Sequence, residues 1–328
     1  MKTTLVSAIA RYALAGAAIV SFAAFAQAPT FPAHPVTLVV PVAPGGILDT
    51  VARMIGPEMS KSLGQPVIVD NKPGASGNIG AMTVVKSPPD GYTLLVGYSM
   101  FHVGNPSMFR SLGWDPLRDF SPVAMVAVSP HVIAVNPSVP VHTLKELVDL
   151  ARAQPGKLNY ASPGTGSVGH VGMELFKQQT GIDLVHIPYK GAGPMMQDLI
   201  AGTVQVTIAT PPSILGFVNA GRVRPLAVAA KTRHPLMPDV PTTAEAGYPN
   251  FELEAWVALF APAGTPAPVI AKLVAAVEDA VKSPVVIERA KTTGMAIRFQ
   301  PPAELDATVR SDLKYWSAVI RGAGITAD

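Results

Sequence analysis

Residues 163–170, PGTGSVGH, hold the densest group of residues whose types and spacing suggest chemistry. Gly164, Gly166 and Gly169 match G-x-G-x-x-G, and Asp183 follows Gly164 at close to the ~20-residue spacing of a ribose-binding acid. A dinucleotide site needs that acid at the carboxyl end of its strand. Asp183 instead opens its strand and falls at the opposite edge. Thr165-Gly-Ser167-Val-Gly169 also approaches the G-x-S-x-G nucleophile elbow, with Thr where the first Gly belongs. His170 is poorly placed as its base, and no acid–His order stands out downstream, so an exported hydrolase acting through Ser167 is a competing reading and not the preferred one. A phosphate-cradling P-loop is excluded because no Gly-Lys-Ser/Thr follows. The seven histidines, at 34, 102, 131, 142, 170, 186 and 234, never fall three or four residues apart, which leaves no metal pair on a helix face. The chain has no cysteine, so disulfides, zinc–thiolate sites, iron–sulfur clusters and Cys nucleophiles are out. No catalytic residue, metal or cofactor is expected.

A second turn, PVAPGGILDT at 41–50, shares one property with 159–170: each follows a strand pattern, precedes a helix pattern, and contains neither Lys nor Arg. In open α/β sheets, ligands sit beyond the carboxyl ends of strands. The first turn of a helix there offers unpaired N–H groups and the positive end of a dipole, and glycines let a ligand approach the backbone. One such turn in each half of the chain predicts a carboxylate clamp made by backbone and by the hydroxyls of Thr50, Ser162, Thr165 and Ser167. Asp49 either caps its helix or accepts a hydrogen bond from ligand or water. Lys190, in HIPYKGAG, is the one basic side chain well placed near such a cleft.

The elements that must carry these turns alternate strand and helix. VTLVVPV (36–42), PVIVDN (66–71) and YTLLVGYS (92–99) read as strands. Between them lie helices over 48–63 and 78–87, the first striped by Val51, Met54, Ile55, Met59 and Leu63 and stopped by Gly64. The middle repeats the theme: strands at 131–137, 157–162, 183–188, 204–210 and 224–230, with helices over 143–153, 168–179 and 194–200. Thr143 and Glu146 have the form of a capping box. The end holds a strand (251–262), a helix (267–282), another short helix (295–300), and a last helix striped by Leu305, Val309, Leu313, Trp316 and Ile320. Such alternation implies parallel sheets covered by helices. Two similar α/β lobes are expected, 27–127 with 251–328 and 128–250, with the chain crossing near 120–130 and near 250 to make a hinge.

The first residues set the compartment. Lys2 and Arg11 precede an apolar run from Tyr12 to Phe25 that ends in Ala24-Phe25-Ala26. At ~14 residues the run is short of the ~20 that span a bilayer, and the A-x-A ending suits a cleaved signal over 1–26. Ala26-Gln27-Ala28 offers a second cut. Periplasmic export follows. Without Lys2 and Arg11 the 25 bases fall to 23 against 22 acids, and with no basic run there is no nucleic-acid footprint.

PVAPGGILDTVAR, VDNKPGASGNIGA, PPDGYTLLVG, DPLRDFSPVA, LNYASPGTGSVGHVGMELFK, VHIPYKGAGPMMQDLIAGTVQV, GRVRPLAVA and FAPAGTPAPVIAKL follow one another in this order. The series resembles the substrate-binding proteins of tripartite tricarboxylate transporters, the TctC or Bug family, over essentially the whole mature chain. The resemblance implies an α/β, two-lobed periplasmic-binding-protein fold of type II, the Venus flytrap. It implies no catalysis and a small carboxylate ligand: a dicarboxylate, a tricarboxylate, an acidic amino acid or an aromatic acid. It places that ligand between loops corresponding to Pro44–Asp49 and Ser162–Ser167, partly through ordered water, and gives as partners the membrane components of a tripartite transporter. A monomer is expected, and a sensor for a membrane signalling partner would use the same lobes. Ile47 and Leu48 stand where smaller residues are commoner, and Ala209 and Thr210 where an Asp often follows the strand, which speaks against an amino-acid ligand. The ligand-binding set is Pro44, Gly45, Gly46, Leu48, Asp49, Asn78, Ser99, Ser162, Gly164, Thr165, Gly166, Ser167, His170, Lys190 and Thr210.

Overall fold

β1 (Val36–Val40) is buried at Val36, Leu38, Val39 and Val40, as a strand covered on both faces must be. It hands over through Pro41–Gly46 to α1 (Ile47–Leu63), which buries Val51, Met54, Ile55 and Met59 on one stripe. Gly64 ends α1 in the left-handed region, φ 69, with its N–H on the Ser60 carbonyl. β2 (Val67–Asn71), a 3-10 turn (Ala75–Gly77), α2 (Asn78–Val85) and β3 (Thr93–Tyr98) complete the first alternation. β1 pairs in parallel with both β2 and β3. These coordinates are a computed structural model that describes residues 31–327; the leader expected over 1–26 lies outside the described residues.

A π-helical turn (Met100–Gly104) runs into α3 (Asn105–Met108) and leads to β4 (Phe120–Pro130). The second lobe follows as β5 (Val132–Val135), α4 (Leu144–Ala153), β6 (Asn159–Ser162), α5 (Val168–Thr180), β7 (Val185–Pro188), α6 (Ala192–Ala201), β8 (Val206–Ala209), α7 (Pro211–Asn219) and β9 (Arg224–Val228). The chain returns as β10 (Glu254–Pro262), α8 (Ala267–Lys282), α9 (Pro284–Thr293), β11 (Ala296–Gln300) and α10 (Pro302–Gly322); the short helix expected over 295–300 is instead the edge strand β11, drawn out by pairing antiparallel with β4. The capping box forms: Thr143 Oγ1 accepts from the Glu146 N–H at 3.1 Å.

The first sheet has the order β11-β4-β10-β3-β1-β2 and the second β7-β6-β8-β5-β9. Neither is all-parallel, against the sequence expectation. β10 runs antiparallel to β3 and β4, and β5 antiparallel to β8 and β9. The reason is the double crossing. β4 and β10 carry the chain out of and back into the first lobe, so they must run in opposite directions. The segment 120–130, expected as a connection, is an eleven-residue strand buried from Val123 to Ser129. The first sheet keeps Val128, Ser129 and Pro130 as partners of β10, beyond the boundary between 127 and 128.

A ring of three backbone hydrogen bonds ties the two crossings together. The His131 N–H donates to the Leu253 carbonyl (2.9 Å), the Leu253 N–H to that of Ala229 (2.9 Å), and the Ala229 N–H to that of His131 (2.8 Å). α10 then packs back on the first lobe, burying Leu305, Val309, Trp316 and Ile320. Among the described residues no helix is long and apolar enough to cross a membrane.

Candidate functional site

In both lobes the parallel strands point their carboxyl ends at one cavity of about 970 Å³. The turns that follow those strands form its wall. Gly46, Ile47 and Leu48 bring the start of α1; Ser76 and Gly77 lead into α2; Ser167 and Gly169 belong to the start of α5. Ala192 and Gly193 open α6, and Thr210 leads into α7. The N-terminal ends of these five helices therefore meet at one space. The first N–H groups of a helix have no acceptor within it, and each end carries the equivalent of roughly half a positive charge. Among the described residues of the wall, Lys190 is the one cationic side chain and there is no Asp or Glu. α7 contributes less, because Pro211 and Pro212 lack N–H groups. The rest of the wall is largely apolar, including Tyr98, Phe101, Met195 and Ile208. The arrangement attracts an anion with an apolar body.

Two buried networks hold the Gly-rich turns in shape. Under the first, Asp49 accepts from the Gly45 N–H (3.1 Å), from Arg53 Nε (3.0 Å) and from Asn71 Nδ2 (3.0 Å). Asn71 Nδ2 also donates to the Val42 carbonyl at 3.0 Å. Burial pushes the Asp49 carboxyl upward, but the hydrogen bonds from Arg53, Gly45 and Asn71 outweigh it and hold it below the usual carboxylate range. Gly45 has φ 93, a conformation glycine adopts freely. Asp49 thus uses the Gly45 N–H itself, and leaves the N–H groups of the first turn of α1 for a ligand. Asp49→Ala is expected to lower stability by about 0.5–1.5 kcal/mol, the worth of a net hydrogen bond, since its donors Gly45, Asn71 and half-exposed Arg53 are all open enough to be solvated in its place. Urea unfolding at pH 7 measures it; an unchanged midpoint would contradict the bracing role.

Under the second turn, Ser162 Oγ donates to the Gly164 carbonyl (3.0 Å) and pairs with His186 Nε2 at 2.7 Å, so His186 is the donor there. His186 stacks on His170 with centroids 3.9 Å apart. His170 Nδ1 accepts the Gly166 N–H at 3.0 Å, which fixes its proton on Nε2. Burial is the main cause that lowers His170 to about 4 and His186 to about 3, helped by mutual repulsion at His186 and by Lys177 at both. Ser167 caps α5, its Oγ accepting from the His170 N–H at 3.2 Å.

Of the residues proposed from sequence, Pro44, Gly45, Gly46, Leu48, Gly164, Thr165, Ser167, Lys190 and Thr210 lie in the wall. Asp49, Ser162 and His170 sit behind it as braces. Asn78 Oδ1 accepts from Asn105 Nδ2 (2.9 Å) and Trp114 Nε1 (3.3 Å), also outside the wall. Ser99 is buried, its hydroxyl without a partner among the described residues, and outside the wall as well. Gly166 faces away from the cavity: a Cβ there would meet Met108 Sδ and Cε at 2.7 Å, at φ +76. Beside it Ser76 Oγ donates to the Thr165 carbonyl at 3.1 Å, so turns of the two lobes touch directly.

Sequence reasoning missed His131, Tyr98, Phe101 and the turn Pro73–Gly77. KPGASG carried the same signal as the chosen turns, two glycines between strand and helix, and both adopt positive φ (129 and 85). His131 had no local signal, because its place depends on the crossing. His131 is 3% exposed, and its ring Nδ1 is buried without a partner. Leaving such an atom unpaired costs about 1–3 kcal/mol. Burial lowers its pKa to about 3, with the Leu253 carbonyl opposing, so the ring is neutral. Among the described residues no cluster of three or more metal-ligating side chains forms.

Two mixed α/β lobes, joined by two crossings around a cavity walled by helix N-termini, define a bilobal ligand-binding protein. The chain belongs to the tripartite tricarboxylate transporter receptor family, TctC, whose model matches residues 51–325. Three solved structures are similar over nearly their full lengths. The periplasmic binding protein BugD is 33% identical, covers 90% of this chain and 99% of its own, and superposes with a TM-score of 0.85. Rpa4515 of R. palustris, solved with adipate, is 37% identical, covers 90% of this chain and 99% of its own, with a TM-score of 0.86. MatC from Rhodopseudomonas palustris, with bound malate, is 37% identical, covers 88% of this chain and 100% of its own, with a TM-score of 0.83.

Proposed function

We propose that this protein is exported to the periplasm, captures a small organic acid in the cleft between its lobes, and delivers it to the membrane components of a tripartite transporter. The observation that carries the reading is the meeting of five helix N-termini in a wall with no Asp or Glu. An anion is stabilised there chiefly by backbone dipoles, with Lys190 the one cationic side chain in the wall. Adipate in Rpa4515 and malate in MatC supply the ligand class. The leader pattern over 1–26 and the receptor family supply the compartment and the partner.

Binding without catalysis follows from Ser167. Its hydroxyl caps α5, and the adjacent imidazole of His170 already accepts the Gly166 N–H. Neither group is arranged as a nucleophile and its base. An amino-acid ligand is disfavoured, because its ammonium would meet no carboxylate in the wall.

A thermal-shift panel of succinate, malate, adipate, benzoate and aspartate tests the reading. Ligand at a hundredfold over its Kd adds about 2.7 kcal/mol to stability, so at least one of the non-amino acids should raise Tm, and aspartate should not. No shift with any acid at millimolar concentration, beside a clear shift with a neutral sugar, would contradict it.

A further inference from the structure

In the wall turn before α2, Ala75 (φ 47) and Ser76 (φ 51) stand side by side in the left-handed region. Among the described residues they are the only two with positive φ that are not glycines. L side chains adopt that conformation at a cost, and it persists only where neighbours over-determine it. Here they do. The Gly77 N–H closes the turn on the Gly74 carbonyl at 3.0 Å. Asn105, fully buried in α3, donates from Nδ2 to the Ser76 carbonyl and to Asn78 Oδ1, both at 2.9 Å. Held this way, Ser76 Oγ donates to the Thr165 carbonyl of the other lobe at 3.1 Å. The peptide unit that receives this bond is gripped from its own lobe as well, because its N–H, that of Gly166, donates to His170 Nδ1 at 3.0 Å. Met108, from the same short helix as Asn105, packs against Gly166, its Sδ and Cε 2.7 Å from where a Cβ would stand.

This contact lies far from the crossings. In the first sheet β2, which leads into the Ser76 turn, is three strands from β10; in the second, β6, which leads to Thr165, is two strands from β5. At ~4.8 Å per strand the first lever is about 14 Å long. A rotation about the crossings therefore parts Ser76 from Thr165 by more than it moves groups beside His131. We propose that Ser76 is a latch: its hydroxyl pins the first lobe to the Thr165–Gly166 peptide of the second, and sets how long the cleft stays shut. The inference rests on the reading of the chain as a two-lobed binding protein that opens and shuts, and not on the class of its ligand. The acceptor is a backbone carbonyl, so the latch engages without any ligand group. The bonds from Ser76 and to His170 sit at opposite ends of one peptide unit, and hydrogen bonds in such a chain polarise one another. The latch thus grips the same turn that presents N–H groups to a ligand, and couples shutting the cleft to fixing the shape of its wall.

Single-molecule energy transfer between the lobes tests this. The chain has no cysteine, so Lys86→Cys and Lys157→Cys, both exposed, give unique dye sites. Lys86 ends α2 in the first lobe, and Lys157 precedes β6 in the second. Transfer is measured without any added acid, on this background and with Ser76→Gly or Ser76→Ala added. In both variants the ratio of closed to open molecules should fall roughly two- to tenfold, the loss of one neutral hydrogen bond. Glycine suits φ 51, so Ser76→Gly should melt at or near the wild-type Tm. Alanine is accepted at such a φ, as Ala75 shows. In stopped-flow, adipate or malate should leave either variant faster by the same factor, with association unchanged. A transfer distribution that is the same in wild type and both variants overturns the latch. A fall in only one of the two overturns it too, because both lack the hydroxyl. The ratio is read without acid, so it decides the latch even where neither adipate nor malate binds, an outcome that counts against the carboxylate reading alone.

Discussion

Gly46→Asp should fold as well as wild type and yet bind organic acids at least tenfold more weakly. Gly46 is the N-cap of α1, with φ −85 and ψ 176 and no side-chain cap bond. Any residue adopts that conformation, and an added Cβ would meet nothing closer than Val42 Cγ2 at 3.9 Å. Asp is among the best N-cap residues, and its gain over Gly is a few tenths of a kcal/mol. Its carboxylate accepts from the N–H groups of the first turn, the donors assigned to the ligand. The variant therefore carries its own anion in the site. Charge-assisted hydrogen bonds are worth about 1.5–3 kcal/mol each, so losing one donor set weakens binding roughly ten- to a hundredfold. Calorimetry with the best acid of the panel measures this, and urea unfolding measures the stability. Undiminished affinity would show that the α1 terminus does not hold the anion. Gly166→Asp is the weaker test: the new side chain would collide with Met108 at a positive φ, and a loss would report strain.

The second large effect is on acid stability. Burial lowers His102, His131 and His186 to about 3 and His170 to about 4. The unfolded chain binds these protons near pH 6.5. Between pH 6.5 and about 4 the unfolded state thus holds more protons than the folded one, and stability rises with pH through that window. It is complete above about 6.5 and is lost as pH falls. From pH 7 to pH 5 each such histidine removes roughly 2 kcal/mol, so four together remove several kcal/mol. Denaturant unfolding at pH 7 and pH 5 should show that fall. A flat profile over this range would mean that the histidines are not held neutral. His170→Gln should reduce the slope, and it removes the Nδ1 acceptor of Gly166 as well.

Turn chemistry made much of the fold readable. Gly64 ends α1 in a left-handed conformation at the place the sequence marks. α8 spans the residues read as a helix from the sequence, 267–282. β4, FSPVAMVAVSP, was not read as a strand, because Pro122 near its start and Pro130 at its end are residues that argue against a strand interior. Strand direction was hidden for a similar reason: pairing sense follows from how often the chain crosses between lobes, and no local pattern records that. The site divides along the same line. A Gly-rich turn between strand and helix located the wall, but not which side chains face inward. Asp49, Ser162 and His170 were chosen for lying in or beside the turns, and they brace the turns from behind. His131 lines the cavity at a crossing that exists only once two distant segments meet.

The central claim is that backbone N–H groups at the α1 and α5 turns hold a carboxylate. A crystal structure of the complex with the best acid of the panel tests it most directly. One ligand carboxylate is predicted to lie within hydrogen-bonding distance, about 2.7–3.2 Å, of N–H groups in the first turn of α1 and in the Thr165–Gly169 segment, directly or through one water. A carboxylate bound to the Lys190 ammonium, with both turns untouched, would contradict the account.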